Sequence, residues 1–248
     1  MITIKTADDF AKMRHAGKVV AGILEAVRDA AAPGVTLVEL DRIAAQIIHD
    51  GDCIPNFLNY HGFPANTCLS VNDELVHGIP SERALKDGDI LSVDAGAIHQ
   101  GWHADAAVTF PIGDVPAEAH TLMAVTERAL WVGIECSTIG SRLGDLGHAI
   151  SAVAAERGYG VVRGYTGHGI GLQMHEDPQV PNYGRQGKGL RLRDGMAIAI
   201  EPMFNAGSAA TRVLDDGWTV VTADGSLCAH FEHTVAITPD GPEVLTLP

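Results

Sequence analysis

An internal repeat is the feature that most restricts the fold of this 248-residue chain. The letters LKDG at 85–88 precede Asp94, and LRDG at 192–195 precede Glu201 after the same number of residues. A second match pairs Gly34, Leu37 and Leu40 with Gly140, Leu143 and Leu146. Such self-similarity predicts two halves, about residues 1–112 and 113–248, related by a pseudo-twofold axis.

Residues 90–110 (ILSVDAGAIHQGWHADAAVTF) have the pattern of two strands joined by a turn at 98–101. A turn centred there places Asp94 and Asp105 opposite each other, with Cβ atoms roughly 4.5–5.5 Å apart, where like charges destabilise the pair. Either a shared proton or a bound metal ion relieves that repulsion. The hairpin by itself leaves both possibilities open.

The remaining elements are predicted from start signals and apolar spacing. Capping boxes at Thr6 with Asp9 and at Thr36 with Glu39 predict two helices, which end near residues 33 and 51. Further helical patterns cover about 116–135 and 141–157, and strand patterns cover 66–76, 89–110 and the chain from 159 onward. We therefore expect an α+β fold in a single domain, residues 1–248.

Charge and composition limit the partners of the chain. The formal net charge of −14 argues against a nucleic acid held through its phosphates, and no nucleic-acid motif is present. The amino terminus lacks a signal-peptide pattern, and no apolar run approaches the ~20 residues that span a bilayer. The four cysteines have no CxxC spacing, which predicts reduced thiols and neither a disulfide framework nor a structural zinc site. We expect a soluble, cytoplasmic monomer.

Four acidic residues, Asp94, Asp105, Glu201 and Glu232, lie in otherwise apolar strand patterns. Buried carboxylates need cations, and two divalent ions balance four such charges best. His168, flanked by glycines that permit close approach of the backbone, is assigned as the nitrogen ligand. This donor set suits Mn(II), Fe(II) or Co(II), and Zn(II) is also compatible.

A two-metal site predicts hydrolysis, because a metal-bridging water or hydroxide becomes nucleophilic and the substrate carbonyl is polarised. Glu201 is both a predicted ligand and the candidate to take the proton of that water. His77 (VHGIP) and His175 (MHEDP) occupy corresponding places in the two halves and are assigned as donors to the substrate or to the developing oxyanion. A backbone-capping role before a turn is the alternative for both. The other histidines, His230 among them, are assigned to structure or surface.

An ordered set of motifs over nearly the whole chain resembles the type I methionine aminopeptidases. The motifs are YHGFP (60–64), NDELVHGIP (72–80), LKDGDILSVDAGA (85–97), GWHADAAVTF (101–110), GHGIG (167–171), MHEDPQVPNY (174–183), IEPM (200–203), DGWTVVTADGS (216–226) and FEHTVAIT (231–238). The five metal ligands of that family fall on the four acids and histidine named above, and its two catalytic histidines fall on His77 and His175. The resemblance implies the pita-bread fold, with helices outside a curved, mostly antiparallel sheet.

The activity that the resemblance implies is removal of the initiator methionine from nascent polypeptides when the next residue is small. The partner is then the amino terminus of a new chain, and association with the ribosome is compatible with that role. By resemblance, the methionine pocket contains Tyr60, Phe63, Cys68, Met174 and Trp218. Met174 departs from the many relatives that carry an aromatic residue there, which affects the shape of the pocket. With neither an N-terminal extension nor the type II insertion recognisable, the short bacterial form is expected.

Two other functions share the implied fold. A Xaa-Pro aminopeptidase or prolidase is the nearest enzyme, although such proteins normally carry an extra N-terminal domain. A non-catalytic binding module is the alternative from another class, although such modules usually lose metal ligands and all five are present here.

Overall fold

The computed structural model describes residues 2–248, which contain four α-helices, a short 3₁₀ helix and fifteen strands. The helices are α1 (Ala7–Ala30), α2 (Leu37–Asp50), α3 (Ala117–Glu135) and α4 (Leu143–Ala155), with the 3₁₀ helix at Tyr60–Gly62. The strands are β1 (Ile54–Pro55), β2 (Thr67–Val71), β3 (Glu74–Val76), β4 (Ile90–His99), β5 (Trp102–Pro111), β6 (Gly160–Val161), β7 (Gly167–Gly169), β8 (Glu176–Val180), β9 (Ala197–Ile200), β10 (Met203–Asn205), β11 (Thr211–Val213), β12 (Val220–Thr222), β13 (Cys228–His230), β14 (Glu232–Thr238) and β15 (Gly241–Val244). The predicted order, two helices and then strands, occurs twice.

The starts of α1 and α2 follow the predicted capping boxes. The hydroxyl of Thr6 accepts from the backbone N–H of Asp9, whose carboxylate accepts from the N–H of Thr6 in return. Thr36 and Glu39 make the same exchange at α2. Each box satisfies two backbone donors that the first helical turn cannot satisfy itself. None of the helices within residues 2–248 has the length and apolar character needed to cross a membrane.

Replacing Thr36 with alanine is expected to lower the free energy of unfolding by about 1 kcal/mol, because the cap of α2 is lost. The corresponding fall in melting temperature is roughly 2–4 °C for a chain of this size, measurable by circular dichroism. Thr121→Ala makes the same chemical change within α3, where the hydroxyl bonds only to the carbonyl of Ala117 four residues earlier. An equal loss in both variants would contradict a capping role for Thr36.

A nine-stranded antiparallel sheet combines strands from both halves of the chain. Its strand order is β1-β4-β5-β14-β9-β7-β8, with β2 paired to β4 and β15 paired to β14. One core packs α1 and α2 onto β4 and β5, and a second packs α3 and α4 onto β9 and β14. Alternate residues such as Val93 and Val235 face these helices, so Asp94 and Glu232 project from the opposite face of the sheet.

Matching hydrogen bonds support the repeat found in the sequence. The N–H of Gly34 donates to the carbonyl of Leu85 at 2.8 Å, and the N–H of Gly140 donates to that of Leu192 at 3.0 Å. The isolated bridges Thr36↔Ala84 and Arg142↔Arg191 lie beside these bonds in the two parts. In each part, therefore, the start of the second helix is tied to the segment that leads into an acid-bearing strand.

The predicted register of the β4–β5 hairpin is wrong. Gln100 and Gly101 form a two-residue turn with both φ angles positive (49° and 83°), so the centre lies one residue later than predicted. Asp94 consequently pairs with Ala107, and Asp105 pairs with Gly96. The two carboxylates are diagonal neighbours on one face, a relation that typically separates residues by roughly 7–8 Å. The repulsion is therefore weaker than direct opposition implies.

Candidate active site

The five residues predicted as metal ligands come from five strands that are neighbours in the sheet, in the order β4, β5, β14, β9 and β7. Glu201 directly follows β9, and the other four lie within their strands: Asp94, Asp105, Glu232 and His168. Asp94 and Glu232 both pair with Ala107, one from each side. Because every second residue of a strand points the same way, all five side chains project from the face that the helices leave free.

The donor atoms of this cluster are close but not hydrogen-bonded to one another. Nε2 of His168 lies 3.8 Å from an oxygen of Asp105 and 3.8 Å from an oxygen of Glu201. Donor atoms of Asp105, His168 and Glu232 all lie within 4.8 Å of one another. Nδ1 of His168 is 2.9 Å from the carbonyl oxygen of Gly169. A proton on Nδ1, donated to that carbonyl oxygen, leaves the lone pair of Nε2 directed at the carboxylates.

The glycines beside His168 allow the backbone of β7 to approach its neighbours. A Cβ atom on Gly167 would lie 2.4 Å from the carbonyl oxygen of Ala199, and one on Gly169 would lie 2.1 Å from that of Asp177. Only glycine avoids these clashes. The expectation that the glycines serve close packing is confirmed, and this packing places the imidazole over the cluster.

The protonation of the acids reflects their burial. Burial raises the pKa of Asp105 to about 6, with His168 acting against the rise. Burial, together with the nearby carboxylates, holds the pKa of Asp94 and of Glu232 well above the ordinary range. Burial also acts to raise the pKa of Glu201, but the neighbouring His230 and His168 outweigh it and the pKa lies below its usual value. Burial therefore disfavours several uncompensated negative charges in this cluster.

Several buried polar atoms in the cluster have no hydrogen-bond partner: Oδ1 of Asp94, Oε1 of Glu232 and Nε2 of His230. Buried polar atoms in folded proteins are normally paired, and a bound ion satisfies such atoms where no protein group does. Carboxylate oxygens with one imidazole nitrogen are ordinary ligands of divalent first-row metals. The residues present therefore fit a divalent-metal site.

The two histidines predicted to assist catalysis line the same cavity as the cluster. The ring of His175 lies 4.2 Å from that of His168, and its Nδ1 is 2.9 Å from the hydroxyl of Tyr60. Burial lowers the pKa of His175 to about 4 and also lowers that of His77. His77 has a φ of 60°, a conformation unfavourable for most side chains. Burial therefore favours the neutral form of both imidazoles, and the contact with Tyr60 orients that of His175.

An apolar pocket adjoins the cluster in a cavity of about 470 Å³. All five residues predicted for the methionine pocket line this cavity: Tyr60, Phe63, Cys68, Met174 and Trp218. The rings of Phe63 and Trp218 meet edge to face at 5.2 Å, and buried Met174 and Cys68 belong to the same apolar group. One wall of the cavity is thus hydrophobic while the other carries the acids and histidines.

The assignment of His230 to structure or surface is wrong, because its side chain lines the cavity. Its Nε2 lies 3.6 Å from an oxygen of Glu201 and 3.9 Å from an oxygen of Glu232. The spacing from Glu232 contained the signal, because residues two apart in extended chain share a face. Tyr165 and Thr166 also line the cavity, and no motif pointed to them.

Replacing Tyr60 with phenylalanine is expected to lower kcat/KM about five-fold, because the side chain loses the hydroxyl that bonds to His175 and keeps its ring in the pocket. That value corresponds to about 1 kcal/mol, the typical net contribution of one hydrogen bond. The measurement is steady-state cleavage of a Met-Ala peptide. Tyr159→Phe, on a tyrosine outside the cavity lining, is the matched control. Unchanged kinetics in Tyr60→Phe would show that the contact does not position His175.

The fold and the acid–histidine cluster define a metal-dependent hydrolase of known type. The chain belongs to metallopeptidase family M24, whose model matches residues 11–239. It is 52% identical to the methionine aminopeptidase of Clostridium acetobutylicum over 248 residues, covering 100% of this chain and 99% of the relative. The crystal structure of a Thermotoga maritima methionine aminopeptidase superposes with a TM-score of 0.99 at 46% identity, covering 100% of both chains. The resemblance drawn from the motifs and the pita-bread fold are both confirmed.

A more distant structure shares the fold alone. The prolidase of Pyrococcus furiosus superposes with a TM-score of 0.79 at 20% identity. The match covers 99% of this chain and only 65% of the prolidase. That likeness shows how widely the architecture is used and carries no information about substrate.

Proposed function

We propose that this protein is a methionine aminopeptidase, which removes the initiator methionine from new polypeptides whose second residue is small. The observation that carries the proposal is the single cavity that joins the acid–histidine cluster to the apolar wall of Phe63, Cys68 and Met174. Sulfur and aromatic edges suit the flexible thioether of methionine. The curated relatives with this name span the whole chain.

The proposal extends to the setting of the reaction. The substrate is the free amino terminus of a nascent peptide, met in the cytoplasm at or near the ribosome. Residues 1–248 act as one catalytic domain with halves at about 1–112 and 113–248. The matching hydrogen bonds that tie Gly34 to Leu85 and Gly140 to Leu192 support this division.

Two divalent ions are proposed as the cofactors, drawn from Mn(II), Fe(II), Co(II) and Zn(II). The residues that would hold them are Asp94, Asp105, His168, Glu201 and Glu232. When bound, such ions lower the pKa of a water molecule and polarise the scissile carbonyl. The orphaned oxygens of Asp94 and Glu232 and the separation of His168 from its acidic neighbours support this assignment.

Protein side chains then supply the proton transfers and the orientation. Glu201 takes the proton of the attacking water and passes it to the departing amine. A Tyr60 hydroxyl that donates to Nδ1 of His175 leaves the imidazole proton on Nε2, where it stabilises the developing oxyanion. His77, held next to Trp218, donates to the substrate and sets its direction relative to the pocket.

The test compares two short peptides with the metal-loaded protein. Met-Ala-Ser is expected to release free methionine, while Leu-Pro-Ala is expected to remain intact, with amino acids quantified by mass spectrometry. N-acetylated Met-Ala-Ser is the control, and no cleavage is expected because the free amine is blocked. Cleavage of the Leu-Pro bond in preference would replace this proposal with a Xaa-Pro aminopeptidase or prolidase-like activity. Turnover of neither free peptide, together with no metal binding, would indicate a binding module.

A further inference from the structure

A second group of metal-ligating side chains lies at the far end of the β4–β5 hairpin. Donor atoms of His15, Cys53 and His99 all lie within 4.8 Å of one another. Among the residues that the structure describes, the only other group that meets this distance is Asp105, His168 and Glu232. His99 is five residues from Asp94 on β4, roughly 16 Å along the strand. The group is therefore separate from the active site.

Three different elements contribute to this group. His15 belongs to α1, Cys53 follows the end of α2, and His99 is the last residue of β4. The imidazole of His15 is exposed, Cys53 is half-buried and His99 is buried. An ion held by all three would tie together segments that are 38 and 46 residues apart in sequence (53 − 15 and 99 − 53). The arrangement is open to solvent on one side, so an ion has a path in.

Hydrogen bonds to backbone carbonyl oxygens determine which ring nitrogen of each histidine carries the proton. Nε2 of His15 lies 2.7 Å from the carbonyl oxygen of Gly51, and Nδ1 of His99 lies 2.9 Å from that of Asp52. A carbonyl oxygen only accepts, so each of these nitrogens is the donor and carries the proton. The other nitrogen of each ring then keeps its lone pair. Histidine ligands of metals typically have this arrangement, with the second ring nitrogen donating to a carbonyl.

The segment that carries Cys53 is held in place by backbone geometry. A Cβ atom on Gly51 would lie 2.5 Å from a side-chain carbon of Val19 on α1, so this loop packs directly on the helix that bears His15. Asp52 has a φ of 52°, an uncommon conformation for a residue other than glycine. The same two residues supply the carbonyls that orient the histidines. This turn thus places the thiol near both rings.

We propose that His15, Cys53 and His99 form a second metal site, which binds Zn(II). Two imidazole nitrogens with one thiolate sulfur are characteristic zinc ligands, and a tetrahedral ion has a fourth position for water or a nearby carboxylate. The carboxylate of Asp52 lies beside the group, 3.9 Å from Nδ1 of His99. The two rings stack with centroids 3.8 Å apart and planes at 27°, so an ion bound by both lone pairs requires the exposed ring of His15 to turn out of this stacking.

Binding exchanges one proton for the ion. The thiol of Cys53 releases its proton to solvent as the sulfur–zinc bond forms, while the two neutral imidazoles bind through existing lone pairs. The site carries no substrate group and lies away from the catalytic cavity. It is therefore a structural cross-link of α1, the α2–β1 loop and the hairpin, and it raises the melting temperature without changing turnover.

Cobalt titration of the full-length protein provides the test, because Co(II) replaces Zn(II) and a sulfur–cobalt bond absorbs in the near ultraviolet. The proposed active-site donors contain no sulfur, so the wild-type protein is expected to show a thiolate charge-transfer band that Cys53→Ser abolishes. Cys136→Ser removes another half-buried thiol and serves as the matched control, with the band retained. Equilibrium dialysis with Zn(II) is expected to show one ion fewer per chain in Cys53→Ser.

His15→Gln is the second variant, since the exposed side chain is replaceable without disturbing the core. Its zinc affinity at this site is expected to fall more than about 10-fold, because even loss of an outer partner of a ligand has at least that effect. Both variants are expected to keep the wild-type kcat/KM within two-fold. No thiolate band in the wild type, a band that survives Cys53→Ser, or an unchanged zinc count would overturn the proposal. The histidines would then serve only to hold the Gly51 and Asp52 carbonyls.

Discussion

Asp105→Asn is expected to abolish turnover of a Met-Ala peptide, with kcat/KM falling more than about 100-fold. Loss of a hydrogen-bond partner of a metal ligand already costs 10–100-fold, and this substitution removes a ligand oxygen itself. The shape of the side chain is preserved, and the amide still accepts from the hydroxyl of Thr234, which lies 3.2 Å from Oδ1. The fold is therefore expected to remain intact. The measurements are initial rates at saturating metal and the metal content of the purified protein.

Asp240→Asn is the control for that experiment, because it makes the same change at an exposed position outside the cavity. Wild-type rates are expected there. If Asp105→Asn kept its activity and its metal content, the assignment of Asp105 as a ligand would be wrong. Loss of activity accompanied by a collapsed melting temperature would instead indicate a structural role for the carboxylate.

Removal of the metal by a chelator is expected to reduce peptide cleavage more than about 100-fold, and the loss is expected to be reversible. Adding back Mn(II), Fe(II), Co(II) or Zn(II) separately then ranks the ions by restored rate. The apo protein is also expected to melt at a lower temperature. An ion present at 100 times its dissociation constant contributes about 2.7 kcal/mol, a shift of roughly 5–10 °C for a chain of this length.

Two variants separate the sources of that shift. Cys53→Ser removes the sulfur of the proposed second site and isolates the contribution of the acid cluster. In Asp105→Asn, the increase in melting temperature that metal binding at the acid cluster causes is expected to shrink. Full activity of a protein shown to be metal-free would refute the two-metal hydrolase, whatever its melting temperature.

Much of the architecture could be predicted from local signals. The capping boxes at Thr6 and Thr36 depend only on residues three apart, and both appear as predicted. The repeat likewise pointed to equivalent positions for Asp94 and Glu201, which lie on one face of a continuous sheet. Local chemistry and strand alternation are encoded over short distances, which is why sequence patterns reveal them.

The pairing of residues across strands was harder to predict from the sequence. The register of Asp94 and Asp105 depends on which two residues make the turn, and positive φ at Gln100 and Gly101 moved the centre by one residue. A one-residue shift of the centre changes every cross-strand pair. His230 was missed for a different reason. Its spacing of two residues from Glu232 hinted at a shared face, but its place beside Glu201 depends on how β13 and β14 follow one another in space.

Residue types at repeated spacing in the sequence predicted the acid and histidine donors, because those residue types carry metal-binding chemistry. The resemblance of the ordered motifs to a known family supplied the pocket residues and the membership of a metallopeptidase family. Only the tertiary structure decided that these side chains enter one cavity with His230, and that Asp94 and Asp105 are diagonal neighbours. It also decided that His15, Cys53 and His99 converge, which no spacing in the chain indicates. Contacts between distant segments depend on sheet order and helix packing, and those are settled by the energy of the whole fold.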